Sequence, residues 1–155
     1  MQETISELEQ LVIGFSKKFE AISELQFKNK ISPDRWSNEE VLGHLIDSAH
    51  NNLRRFIVGQ YQQNDKIVYD QDFWNLANDY NQMPQQEVIN LWALMNKRIC
   101  IVLKNMPADK YQNTIDTGKD SISPKTLIWL AQDYVQHMKH HFNQIIPGSF
   151  EVEYH

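Results

Sequence analysis

The stretch SNEEVLGHLIDSAHNNLRRF, Ser37–Phe56, decides the fold class. Ser37 followed three residues later by Glu40 is a capping box, in which a hydroxyl and a carboxylate satisfy backbone N–H groups that a helix start leaves open. Leu42, Leu45, Ile46, Ala49, Leu53 and Phe56 then recur at helical spacing, and Gly59 marks the expected end. A helix apolar along one stripe must bury that stripe against other elements.

Three more helices of this kind flank it. Upstream, TISE at Thr4 matches a second capping box. Ile5, Leu8, Leu11, Val12, Phe15, Phe19 and Ile22 form its stripe, with an end expected near Phe27. Downstream, Pro84 suits a first helical turn. Val88, Leu91, Trp92, Met95, Ile99, Val102, Leu103 and Met106 follow it, and Pro107 stops them. The last helix is expected to start at Ser123-Pro124, a cap followed by proline. Its stripe is Leu127, Leu130, Ala131, Tyr134, Met138, His141, Phe142 and Ile145, and Pro147-Gly148 ends it. Between the second and third helices runs an acidic, aromatic connection, Tyr61–Met83, of a length that is often functional. A short helix is expected within it at about Phe73–Asn78, with Phe73 and Trp74 capping the core. Before the last helix, YQNTID suits a short extended piece and Gly118 a turn. The pattern predicts an all-α fold: a four-helix bundle with a long connection between helices 2 and 3, in one domain over residues 1–155.

Composition narrows the function. A net charge of −5 and a pI near 5.6 argue against nucleic acid as the main partner. No apolar run approaches the ~20 residues needed to cross a bilayer, so no membrane partner is expected. The N-terminal MQETISELEQ lacks the apolar core of a signal peptide. The single cysteine, Cys100, permits no internal disulfide, which fits a cytoplasmic location; within the apolar run RICIVLKNM it reads as a small buried hydrophobe.

The histidines carry the chemistry. YVQHMKHHFNQI, Tyr134–Ile145, holds three of the chain's six. Residues four apart lie nearly above one another on a helix, so His137 and His141 can grip one divalent metal. His141 falls on the apolar stripe and His137 on its edge, whereas His140 points to the polar side. Two histidines do not make a tight site. Bundles complete such sites from facing helices, which leaves His44 and His50, with His155 expected to be frayed at the terminus. His50 lies at the edge of the second helix's stripe and is slightly favoured by pattern. His44 shares a polar face with Ser48, Asn51 and Arg55, and the helical wheel does not say whether that face lines a cavity or meets solvent.

RWSNEEVLGHLIDSAHNNLRRF and HMKHHFNQI together resemble the signatures of the DinB/YfiT-like superfamily of metal-dependent enzymes. The intervening VYDQDFWNLANDYNQMPQQEVINLWALMNKR resembles the connection and third helix of its YfiT branch. The resemblance spans roughly Trp36 to Ile145. It implies a four-helix bundle whose metal ligands are His44, His137 and His141, in preference to His50, with the polar face of the second helix turned inward. Members include metal-dependent hydrolases, bacillithiol S-transferases, and mycothiol- or glutathione-dependent isomerases and transferases. Homodimers are common among them, although no stripe here is clearly surplus to the core.

Three neutral imidazoles leave a divalent metal its full charge and an open position, the pattern of a catalytic site. Zinc suits nitrogen ligands, and nickel can occupy the same set. The charge would lower the pKa of water or of a low-molecular-weight thiol, so one site supports either hydrolysis or thiol transfer onto a small molecule. Asp47, one turn after His44, and Asp133, one turn before His137, are candidates to hold the ligands' second nitrogens, and surface aspartates fit the same spacing. The expectation is a metal-dependent hydrolase or thiol S-transferase. The alternative is a non-catalytic, stress-response helical binding module with a structural metal or none, whose contact surface is the Tyr61–Met83 connection.

Overall fold

A computed structural model describes residues 1–151; His155 lies outside the described residues. Helix α1 (Gln2–Glu20) is followed by a short α2 (Glu24–Lys28). Then come α3 (Asn38–Val58), α4 (Gln71–Asn78) and α5 (Gln85–Asn105). Strands β1 (Thr114–Asp116) and β2 (Pro124–Thr126) precede α6 (Leu127–Ile145). The four long helices form a ring in the order α3, α5, α1, α6, each packed against two neighbours. The all-α bundle is the architecture observed, with one two-stranded antiparallel sheet as its β content among the described residues.

The α3 capping box forms as the sequence predicts. Glu40 N donates to Ser37 Oγ at 3.1 Å, and Ser37 N donates to Glu40 Oε2 at 2.7 Å. Gly59 is the C-cap. Other boundaries differ. The TISE box at Thr4 does not form, because α1 already begins at Gln2, leaving Thr4 inside the helix and buried. The first helix also stops before Phe27: Ser23 accepts a bond from Gln26 N and opens α2, so Phe27 reaches the core from a separate turn. Pro84 is the N-cap of α5, one residue before its first turn. The last helix starts at Leu127, capped by Thr126 Oγ1 on Trp129 N. Ser123 and Pro124 lie in and beside the strand pair instead, because Thr114–Asp116, the expected extended piece, recruits Pro124–Thr126 as its partner. A cap signature is local, and here a strand pairing outcompetes it.

The connection is anchored at several points. Ile67 is buried and its N–H donates to Asp116 O at 3.0 Å. Asp70 caps α4 by accepting from the N–H groups of Asp72 and Phe73. Phe73 is 65% exposed and does not cap the core; Asn75 is the buried residue of α4, donating to Glu40 O at 2.7 Å. Tyr80 fills the space over Gly43, where a Cβ would sit 2.0 Å from the ring, and its hydroxyl donates to Asp47 at 2.7 Å.

The core is aromatic at its centre. Phe15 stacks on Phe142 at 4.0 Å, and Phe19 meets Trp92 and Phe142 edge-on at 5.7 and 5.4 Å. These rings join α1, α5 and α6. Cys100 is buried, and its desolvated thiol is pushed up to about 11, in keeping with a packing role.

Candidate metal centre

His44 projects from the second turn of α3, whose start the capping box pins. His137 and His141 project from successive turns of α6. Because α6 packs against α3, the three rings meet. Nε2 of His137 stands 3.1 Å from Nε2 of His44 and 3.0 Å from Nε2 of His141. One ligand atom from each histidine lies within 4.8 Å of the other two.

An imidazole nitrogen carries either one proton or one lone pair, so His137 Nε2 cannot make good hydrogen bonds to both neighbours. Two nitrogens bound to one tetrahedral zinc at ~2.0–2.1 Å would be about 3.3 Å apart. The three nitrogens are therefore spaced for a shared cation, and the residues present fit a divalent metal.

Burial keeps them neutral. Desolvation, followed by repulsion from His141, holds His44 down to about 3. His137 is lowered well below the ordinary imidazole value by burial and then by its histidine neighbours. His141 is lowered by burial, opposed by its bond to Gln144. Neutral rings offer lone pairs at physiological pH, which is the form a metal requires.

The polar face of α3 does look inward. His44 is 1% exposed, and Asp47, Ser48, Asn51 and Asn52 are buried with it. His50, which pattern slightly favoured, is exposed against the Trp74 ring at 5.5 Å and stands outside the cluster. Asp47 does not hold His44: its Oδ1 accepts from Tyr80 and from Asn78 at 2.9 Å, while His44 Nδ1 and Asp47 Oδ2 are both buried without a hydrogen bond. Burial raises Asp47 to about 6 despite these bonds. Asp133 lies with His137, Arg55, Tyr69 and Ser48 around a polar cavity of about 120 Å³. His140 stands outside the ligand cluster but is half-buried, its ring 5.0 Å from that of His141 and its Nε2 3.2 Å from the Gln144 amide.

Two neighbours of the cluster escaped the sequence reading. Gln144 lies 2.9 Å from His141 Nδ1, an i,i+3 spacing that a search around each ligand would have found. Trp36 lays its ring 5.2 Å from that of His44, a contact no spacing rule reveals. Trp36 and Gln144 also border a larger cavity of about 480 Å³, rimmed by Asp34, Arg35 and Asp72. The centre thus lies close to two cavities of different size.

Comparison with known proteins places the fold in a family. The DinB superfamily profile matches residues 7–145. A relative from Oceanobacillus iheyensis, provisionally named a metal-dependent hydrolase, is 26% identical over 149 residues, covering 94% of this chain and 83% of the relative. Among solved structures, YfiT from Bacillus subtilis, described as a probable metal-dependent hydrolase with an unusual four-helix bundle topology, superposes with a TM-score of 0.83 at 21% identity, covering 93% of this chain and 82% of its own. A mycothiol-dependent maleylpyruvate isomerase shares the fold at a TM-score of 0.71 and 8% identity, over 97% of this chain and 61% of its own. The chain belongs to the DinB superfamily.

Proposed function

We propose that this chain is a metal-dependent enzyme acting on small molecules, with His44, His137 and His141 as the ligands of one divalent ion. The observation that carries the reading is the convergence of three neutral imidazole nitrogens, with no carboxylate among them. When bound, the ion, zinc or nickel by ligand chemistry, supplies a charge that favours deprotonation of a water or a thiol. The chain's own residues do the rest. The three rings hold the ion with its full charge. The larger cavity beside Trp36 has the size of a small-molecule site. Arg35, Asp34 and Asp72 give its rim both signs of charge.

Within this reading, both transfer of a low-molecular-weight thiol to a small electrophile and hydrolysis are open to the site. Thiol transfer is supported by the thiol-dependent isomerase sharing the fold. Hydrolysis is supported by the names of the Oceanobacillus iheyensis relative and of YfiT and by Asp133, which lines the same cavity as His137. The second reading, a binding module built on the connection, draws on one observation: Phe73 and Leu76 of α4 are both largely exposed.

The test is direct. Purified protein should take up about one zinc per chain and consume a thiol in the presence of a model electrophile. Chelation should stop the reaction, and added zinc should restore it. Hydrolysis without thiol consumption selects the hydrolase. A chain that binds zinc in a closed shell and shows neither activity selects the binding module. Gel filtration during the same purification tests whether the chain forms the homodimer common among its relatives.

A further inference from the structure

We propose that Gln144 and His140 are positioning residues for the metal centre: His140 orients the Gln144 amide, and Gln144 fixes the ring angle and tautomer of His141. The inference rests on the metal-ligand reading above. It follows from hydrogen-bond polarity. His141 turns Nε2 toward the cluster, 3.0 Å from His137 Nε2. A lone pair is needed there, so the ring proton sits on Nδ1 and must donate outward. Gln144 Oε1 stands 2.9 Å from Nδ1 and can only accept. The other end of the same amide, Nε2, lies 3.2 Å from His140 Nε2 and can only donate. His140 Nε2 therefore accepts, and its proton sits on Nδ1. A reversed amide would set two donors face to face at His141, so the metal-ready tautomer selects one amide orientation, and His140 supports it by accepting at Nε2.

Helix geometry explains the placement. His140 and His141 precede Gln144 by four and three residues, so all three share one edge of α6. This gives the third histidine of the cluster a task that its polar-side position would otherwise hide. His44 offers a contrast, since its Nδ1 is buried with no hydrogen bond. Gln144 is exposed and water competes for its bonds, so its effect should fall at the low end of the ~10–100-fold that outer partners of metal ligands contribute.

The experiment measures zinc affinity of the full chain by competition with a chromophoric chelator. Gln144→Leu, which loses both links, should weaken zinc about 10-fold. Gln144→Glu keeps the acceptor for His141 and adds charge, so it should bind as well as the parent or better. His140→Ala should fall between parent and Gln144→Leu. Because Gln144 is exposed, the metal-free variants should share the parent's thermal midpoint. As a second readout, long-range proton–nitrogen spectra of the zinc-loaded chain should show His140 with its proton on Nδ1, and Gln144→Leu should disturb that state. An unchanged affinity in Gln144→Leu, or equal weakening by Glu and Leu, overturns the inference while leaving the three ligands standing. So does a His140 proton found on Nε2. No zinc uptake by the parent chain overturns both the ligand reading and this one.

Discussion

The two sides of the bundle bury different chemistry. Helices α1 and α5 meet through Ile5, Leu8, Phe15, Phe19, Trp92, Ile99 and Leu103. Their buried polar exceptions are Thr4 near the N-terminus and Asn96, whose side chain bonds Trp92 O and the Tyr134 hydroxyl. Across the ring, α3 and α6 enclose His44, Asp47, Ser48, Asn51, Asn52 and the inward edge of His137. Buried polar groups cost free energy unless they are bonded, and buried titratable clusters concentrate where chemistry is done. The first side is built for stability, and the second carries a cost that a bound cation would offset. Substitutions on the two sides should therefore separate ligand loss from loss of the fold.

The largest effect belongs to the histidine side. His137→Ala removes the nitrogen that lies within 3.1 Å of both others, and zinc affinity should drop by more than the ~100-fold upper range for outer partners. Chelator competition checks this. In the metal-free parent, His44 should also contribute acid sensitivity. His44 is held near 3 in the fold but titrates at ~6.5 when unfolded. Below that upper value the unfolded chain takes up a proton the folded chain refuses, so stability falls as pH drops from about 6.5 toward 3. Glu39 and Asp47, both raised by burial, act in the opposite direction over the same range, so the comparison with His44→Ala isolates the histidine. On going from about pH 7 to pH 5 the parent's urea midpoint should shift further toward instability than that of His44→Ala. Identical shifts in the two proteins would contradict the buried neutral cluster.

On the apolar side, Phe19→Ala should cost about 3–5 kcal/mol by urea unfolding, since a fully buried ring leaves a cavity among Phe15, Trp92 and Phe142. Zinc stoichiometry in the surviving folded fraction should not change. Loss of zinc uptake in that fraction would show that the two sides are less separable than their chemistry suggests.

The same contrast explains what could be read without the structure. Apolar stripes reveal themselves by period, because each buried side chain departs from a polar background; α1, α5 and α6 were visible in this way. The inward polar face of α3 has no such contrast. On a wheel His44, Ser48 and Arg55 make a polar face that could meet either solvent or a cavity, and only a neighbouring helix decides between them. Periodicity therefore drew attention to His50, while the placement of His44 came from the family resemblance and the arrangement of α3 against α6. Boundaries failed where a distant partner decided them. Thr126, not Ser123, caps α6 because β1 holds residues 124–126 extended. Phe73 looked like a core aromatic, but α4 turns Asn75 inward to reach Glu40 O.

A smaller effect tests whether every buried charge on α3 serves the metal. Glu39 is 0% exposed, and neither carboxylate oxygen has a hydrogen bond; Lys28 Nζ lies 3.8 Å away. Burial outweighs the lysine and raises Glu39 to about 7 from the usual 4.5. Between those values the unfolded carboxyl ionises while the folded one resists, so stability falls as pH rises from about 4.5 to 7. This is the opposite direction to His44. Glu39→Gln should gain about 1 kcal/mol over the parent at pH ~8, with the gain fading toward pH ~5. Equal midpoints at both pH values would mean that Lys28 already compensates the charge.

The smallest effect is the sharpest test of the geometry. His50 and His44 sit on the same helix, six residues apart, and pattern alone ranks His50 slightly higher. In the fold His50 rests against Trp74 at the surface, while His44 is enclosed with the α6 pair. His50→Ala should leave zinc stoichiometry and affinity unchanged and shift stability by no more than about 0.5 kcal/mol, the usual range for a surface position. His44→Ala should abolish tight zinc uptake in the same assay. If the two outcomes were exchanged, α3 would have to turn by about a third of a revolution to bring His50 to the α6 pair. That turn would carry Leu42, Leu45 and Ala49 out of the core, so zinc loss on replacing His50 would contradict the placement of α3 as well as its ligand.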